Sequence, residues 1–136
     1  MVLSSYAKIN LSLTVNSSQK NNLHEIQSYF CLINLTDKIK LKKIKEKKDK
    51  ISFKGPFAKL VNKSNNSVIN LIKMLRRSGL ISDYYSVTVF KNIPVFAGLG
   101  GGTGNAAVIF KHLCKQKMNR KLLNKVEKTV GSDLRL

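Results

Sequence analysis

Pro94-Val95-Phe96-Ala97-Gly98-Leu99-Gly100-Gly101-Gly102-Thr103-Gly104-Asn105-Ala106-Ala107 stands between a strand-like stretch and a helix-like one. Five glycines fall within the seven residues 98–104. A backbone that must approach a ligand closely, or turn through positive φ, uses glycine because a Cβ would obstruct it. At the start of a helix such a run gathers N–H groups at the positive end of the helix dipole. That is a site for an anion, most often phosphate. A P-loop would need Gly-Lys-Ser/Thr, and no lysine follows these glycines before Lys111. The dinucleotide pattern G-x-G-x-x-G fits no register from Gly98 to Gly104. A connector without a ligand would gain nothing from so much backbone freedom.

Outward from this run, the periodicities change. Before it, Tyr84–Lys91 alternates, with Tyr85, Val87 and Val89 on one face, and Pro94 ends the strand. After it, Ala106, Ile109, Phe110 and Leu113 recur at helical spacing, and His112 falls off that stripe toward solvent. Leu122, Leu123, Val126 and Val130 mark another helix, stopped by Gly131. Nearer the N-terminus, Asn66 or Ser67 caps a helix that buries Val68, Leu71, Ile72 and Leu75, with Gly79 closing it. Residues 7–15 alternate throughout. Ala7, Ile9, Leu11, Leu13 and Val15 are expected on a buried face, and Lys8, Asn10, Ser12 and Thr14 opposite. A polar loop is expected over Asn16–Asn22. A strand region follows from Glu25 to Leu35 and resumes over Lys38–Ile44. Lys45–Lys50 is a charged turn, and Ile51–Lys54 a short strand ended by Gly55-Pro56.

Length and composition set bounds. A chain of 136 residues suits one domain, and 43% hydrophobic content argues against disorder. No apolar run reaches transmembrane length and no signal peptide is visible, so a cytoplasmic protein without membrane contact is expected. Cys31 and Cys114 lie far apart without metal spacing and read as reduced thiols. The net charge of +18, from 25 Lys+Arg against 7 Asp+Glu, ordinarily suggests a nucleic-acid partner. Here the lysines spread from Lys8 to Lys128 amid abundant asparagine and isoleucine, as in an AT-rich genome. The one cluster, Lys38 to Lys50, follows strand alternation about Ile39 and Leu41, which favours a solvated face. Aromatic and basic residues do not interleave as on a base-reading surface. A basic nucleic-acid- or ribosome-associated module and a non-catalytic truncated remnant remain the alternatives to an enzyme.

Three motifs stand in order: Ala7-Lys8-Ile9-Asn10-Leu11-Ser12-Leu13, His24-Glu25-Ile26-Gln27-Ser28-Tyr29-Phe30, and Pro94 to Ala107. Gly131-Ser132-Asp133 is a short fourth. Together they resemble the GHMP kinase superfamily, and within it the branch acting on a cytidine-diphosphate-linked methylerythritol in non-mevalonate isoprenoid synthesis. The resemblance runs from Tyr6 to Asp133, the N-terminal half of such a kinase. It implies an α+β fold like domain 2 of ribosomal protein S5, a mixed or antiparallel sheet with helices packed on it. It implies ATP and Mg2+, a small-molecule acceptor, and no metal held by the protein itself.

The same resemblance assigns roles. Lys8 and Asp133 are catalytic: Lys8 lies beside the acceptor hydroxyl and the γ-phosphate. Pro94 and the stretch Ala97, Gly98, Leu99, Gly100, Gly101, Gly102, Thr103 and Gly104 bind ATP. Asn10 faces the acceptor and His24 reads its cytosine ring. Taken without the family, Asp133 is an ordinary aspartate after a helix and His24 a surface histidine. Three positions depart from the family pattern. Asn22-Leu23 replaces Gly-Tyr, Thr103-Gly104 replaces Ser-Ser, and Leu134-Arg135 replaces Val-Pro. The chain stops three residues after Asp133 without a capping element, so the gene is expected to continue into a second α+β domain.

Overall fold

A computed structural model of the chain describes residues 1–18, 24–115 and 119–131, apart from the side chains at 16–18 and 24–26. Strand β1 spans Val2–Ser18, β2 His24–Ile44, β3 Lys50–Lys54 and β4 Tyr84–Phe90. Helix α1 spans Ser67–Arg77, α2 Gly101–Cys114 and α3 Arg120–Val130. The sheet order is β1-β2-β4-β3. All pairings are antiparallel except β3 with β4. A parallel pair needs a crossover, and the segment carrying α1 supplies it.

The alternation of β2 explains the layering. Ile39 pairs with Leu3 on one side and Val89 on the other, and Leu41 pairs with Val87, which in turn pairs with Ile51. Ile39, Leu41, Val87 and Val89 are buried against Leu71, Leu75, Ile109, Phe110 and Val126 of the helices. Lys38, Lys40 and Lys42 take the opposite parity and are exposed. The lysine cluster is therefore a solvated sheet face.

The helix ends follow their local chemistry. Asn66 Oδ1 accepts the N–H groups of Val68 and Ile69, each at 3.1 Å, which fixes the start of α1. At its end, Gly79 N–H donates to Arg76 O and Leu80 N–H to Leu75 O, both at 3.0 Å, the pattern that a left-handed glycine completes. Asn119 caps α3 through Leu122 N–H. Arg76 binds both carboxylate oxygens of Asp49 and stacks 4.0 Å from the centre of the Tyr84 ring. This clamps the 45–50 turn to the end of α1. No helix among the described residues is long and apolar enough to cross a membrane.

Several expectations require correction. The second strand does not pause between 35 and 38. It runs unbroken, and a bulge absorbs the irregularity, with Tyr6 opposite Thr36 but Ala7 opposite Ile33. Strand β1 continues through Ser18, and residues 19–22 of the expected polar loop lie outside the described residues. Residues 7–15 do not share one buried face. Ala7 is buried, whereas Leu11, Leu13 and Val15 are 68%, 54% and 55% exposed. A second bulge is one cause. Asn10 pairs with Phe30 and Ser12 with the adjacent Tyr29, so Leu11 is the extra residue and the faces exchange there. Ser12 thus does not share the face of Lys8 and Asn10.

Candidate active site

The glycine run is partly loop and partly helix. Gly98 and Gly100 have φ of 70° and 69°, in the left-handed region, and Gly100 is the N-cap of α2. Gly101, Gly102 and Gly104 already belong to the first turn of the helix. Their smallness has another use. A Cβ at Gly104 would stand 2.7 Å from Ser5 Oγ, so the helix lies directly on β1. The first intrahelical bond at this end is Gly104 N–H to Gly100 O, at 2.8 Å. The N–H groups just before Gly104 have no partner within the helix and point out of its positive end.

The loop from Pro94 to Gly100 walls a cavity of about 350 Å3, the lower range for a small-molecule site. Its other wall is Phe53, Leu60, Asn62, Asn65 and Asn66. Apolar surface beside asparagine amides can hold a flat polar ring and bond its edge.

Strand β1 is bonded to this loop. Lys8 N–H donates to Leu99 O at 3.0 Å. The Lys8 side chain lines a smaller hollow of about 160 Å3 with Ser5, Gly100, Gly104 and Lys111, on the other flank of the α2 N-terminus. Its ammonium is 5.9 Å from the centre of the Phe30 ring. Lys8 pairs with Leu32 and Asn10 with Phe30, so these four share one face of the ladder. The structure thus gathers Lys8, Asn10 and the glycine run.

His24 is not brought to them. It pairs with Ser18 at the far end of the hairpin. It lies eight residues along β2 from Leu32 (32 − 24 = 8), roughly 26 Å in an extended strand. Asp133 lies outside the described residues. The chain does approach the site just before it: a Cβ at Gly131 would stand 3.0 Å from Thr103 Oγ1, and Ser67 Oγ donates to Val130 O at 3.4 Å.

The sequence reading missed Phe30 as a neighbour of Lys8, the asparagine wall at 62–66, and the buried group Asp37, Lys91 and Asn105 beneath the loop. A signal for the last was present. Asp37 takes the parity of buried Ile39 and Leu41, and Lys91 that of Val87 and Val89. A charge at a core position asks for a partner.

No protein-family model matches the chain. Solved structures share its fold. A mevalonate kinase from methicillin-resistant Staphylococcus aureus MRSA252 superposes with a TM-score of 0.62 at 16% identity, covering 94% of this chain and 43% of that one. A 4-(cytidine 5'-diphospho)-2C-methyl-D-erythritol kinase superposes with a TM-score of 0.70 at 25% identity, covering 98% and 47%. The fold is that of the N-terminal half of the GHMP small-molecule kinases, an α+β mixed sheet as expected.

Sequence comparison narrows the class. The 4-diphosphocytidyl-2-C-methyl-D-erythritol kinase of Pelagibacter ubique is 36% identical over 136 residues, 97% of this chain and 48% of that protein. The enzyme of the same name from Caldanaerobacter subterraneus is 31% identical over 135 residues, 97% and 46%. The chain is similar over nearly its whole length to the N-terminal half of the 4-diphosphocytidyl-2-C-methyl-D-erythritol kinases. It spans about half the length of the curated relatives it matches. These similarities favour a kinase over a nucleic-acid module.

Proposed function

We propose that this chain is the nucleotide-binding half of a kinase that transfers the γ-phosphoryl group of ATP to the 2-hydroxyl of 4-diphosphocytidyl-2-C-methyl-D-erythritol. One observation carries the reading. The positive end of α2 opens from Gly100 between the 350 Å3 cavity and the hollow that Lys8 lines. The base of ATP fits the cavity between Phe53 and the Asn62–Asn66 wall, and its phosphates follow the loop to the N–H groups of Gly101, Gly102 and Thr103. The acceptor lies on the face shared by Lys8, Asn10 and Phe30.

Phosphoryl transfer asks mainly for positioning and charge neutralisation. The acceptor oxygen bonds to the γ-phosphorus as the bond to the ADP oxygen breaks. Lys8 stabilises negative charge on the acceptor oxygen and the transferring group, and Asp133 takes the hydroxyl proton. Among the described residues no cluster of three or more His, Cys, Asp or Glu could hold a metal. Mg2+ in this reading would arrive with ATP and would neutralise phosphate charge there. The second half seen in the relatives would complete the acceptor site. His24, at the hairpin tip, reaches the cytosine only if that tip folds over the acceptor.

Calorimetry of Mg-ATP with this chain tests the nucleotide site. Gly100→Val should abolish the binding heat but also strains the left-handed backbone there, so Gly102→Val, where a Cβ meets only Ser67 Oγ at 3.6 Å, should abolish it with the circular dichroism unchanged. Transfer is tested with labelled ATP and 4-diphosphocytidyl-2-C-methyl-D-erythritol, on protein carrying this half joined to the second half found in relatives. Phosphorylation of unrelated sugar alcohols, with no competition by CDP, would overturn the acceptor assignment.

A further inference from the structure

Beneath the glycine loop lies a buried ionic group. Asp37 is 0% exposed, Asn105 1% and Lys91 4%. Asp37 Oδ2 accepts from the Lys91 ammonium and, at 2.8 Å, from Asn105 Nδ2. Asp37 Oδ1 accepts the backbone N–H groups of Asn92 and Ile93, each at 2.8 Å. Such a pair is a poor way to gain stability. Removing both charges from water costs about as much as their attraction returns, and an apolar pair of equal volume often serves as well. Its use lies in what it joins.

Residues 91–93 lead into the loop, and Asn105 follows it, one turn into α2. One carboxylate on a third element, β2, therefore holds both ends of the loop. Lys91 is fixed further. Its N–H donates to Lys54 O at 2.7 Å, and its carbonyl accepts Phe57 N–H at 3.3 Å. Its ammonium lies 3.2 Å from where a Cβ at Gly101 would stand, directly under the first turn of α2. A cation there opposes the positive end of the helix, and the Asp37 carboxylate offsets it. One carboxylate thus ties the loop entry and the loop exit to β2.

We propose that Asp37, acting through Lys91 and Asn105, is a positioning residue that presets the glycine loop for the phosphates of its nucleotide. The proposal rests on the nucleotide reading above. Preorganised donors bind without a reorganisation cost, and a loop released at one end must be ordered by the ligand itself.

The test is Asn105→Leu, which cuts the tie to α2 and leaves Asp37, Lys91 and the two amides in place. Asn105 Oδ1 is buried without a partner among the described residues, so leucine, with the same number of side-chain heavy atoms, removes one desolvation penalty while giving up the Nδ2 bond to Asp37. These two effects oppose each other, so the Tm should fall only modestly. Amide exchange over residues 95–102 should accelerate at least tenfold while β4 amides stay unchanged. Asn105 also lines the 350 Å3 cavity, so the Kd for Mg-ATP, which should rise at least tenfold, is compared with that for adenosine, which should not change. Asn105→Ala, read by loop exchange and Kd alone because the cavity it leaves lowers the Tm, serves if the leucine variant fails to fold. Unchanged exchange overturns the proposal, as does faster exchange with unchanged affinity. A uniform loss of protection with a falling Tm would also overturn it, showing a role in stability alone. Wild-type chain that binds no Mg-ATP would overturn the nucleotide reading instead, and the exchange measurement would then decide the brace by itself.

Discussion

In the inner half of the β1–β2 ladder, Leu3 faces Ile39 and Ala7 faces Ile33, and Ile39 is wholly buried. In the outer half, Leu13 and Val15 alternate as regularly, yet both remain more than half exposed. Propensity and pattern are the same in the two halves, and what lies opposite differs. The helices cover the inner half, where α2 packs on β1 through Ser5 and Gly104. The bulge at Leu11 then turns the outer parity over. Alternation states that a strand has two faces. Whether either face is covered is decided by other elements. Lys8 sits at the boundary, its backbone bonded to the loop and its side chain turned to the face the outer half continues.

The largest effect expected is a difference in stability between the halves. Ile39→Ala removes a branched side chain from a packed site and should cost about 2–5 kcal/mol in urea unfolding. Leu13→Ala should change stability by no more than about 0.5 kcal/mol, as exposed substitutions do. Equal losses at both sites would mean that the outer half is covered in solution.

Lys8→Ala sharpens the boundary by separating function from fold. In protein carrying both halves, kcat should fall by about two orders of magnitude or more, the usual scale for such electrostatic roles, with the Tm nearly unchanged. Asp133→Asn should act similarly. The double variant should be little worse than either single one, because groups that act as a unit are not additive. Independent losses that multiply would separate the two residues.

The closeness of the inner half to α2 gives a smaller and less obvious effect. Glycine inside a helix is about 1 kcal/mol less favourable than alanine. At Gly104 that gain meets a clash, since the new Cβ would stand 2.7 Å from Ser5 Oγ. Overpacking of this kind costs about 1–3 kcal/mol, so Gly104→Ala alone should be neutral or destabilising. Ser5 Oγ is buried without a partner among the described residues. Ser5→Ala clears the space, and Ser5→Ala with Gly104→Ala should be about 1 kcal/mol more stable than the starting chain. A double variant no better than Gly104→Ala would place the clash elsewhere.

Much of this was legible from residues. The caps at Asn66 and Gly79, the apolar stripes of the helices and the parity of Ile39, Leu41, Val87 and Val89 follow from local rules. The glycine run marked a loop that opens a helix, and Gly100 is the N-cap of α2. The bulge at Leu11 was not legible, because nothing local distinguishes an extra residue from an ordinary one until the partner strand is known. The asparagine wall was hidden for a related reason. Asn66 read as a helix cap, Asn62 and Asn65 belonged to no motif, and all three meet the glycine loop only through the crossover between β3 and β4. The brace was legible in part. Asp37 and Lys91 each occupy a core parity, and the register that pairs Lys38 with Phe90 carries the two toward each other. Their common link to Asn105 needed the third dimension.

The smallest effect belongs to the charged turn beyond β2, where the comparison is between buried and exposed ion pairs. Glu46 and Lys50 meet at 2.5 Å, four residues apart, with both side chains more than half exposed. The hydrogen bond from Lys50 holds the Glu46 carboxyl below its ordinary range. A carboxyl lowered in the folded state adds stability above its unfolded pKa, and the gain is lost as pH falls through the folded pKa. Exposure and salt reduce that gain to little, since water screens the pair and holding two long side chains costs entropy. Glu46→Gln should therefore match wild type in urea midpoint at pH 7 and 0.5 M salt. Any advantage of wild type at low salt should vanish on acidification through the carboxyl range. Asp37→Asn, which leaves Lys91 buried and uncompensated, should lower the midpoint under all these conditions. A Glu46→Gln loss that survives high salt would show that the turn is held by this pair, and not by the Arg76–Asp49 clamp beside it.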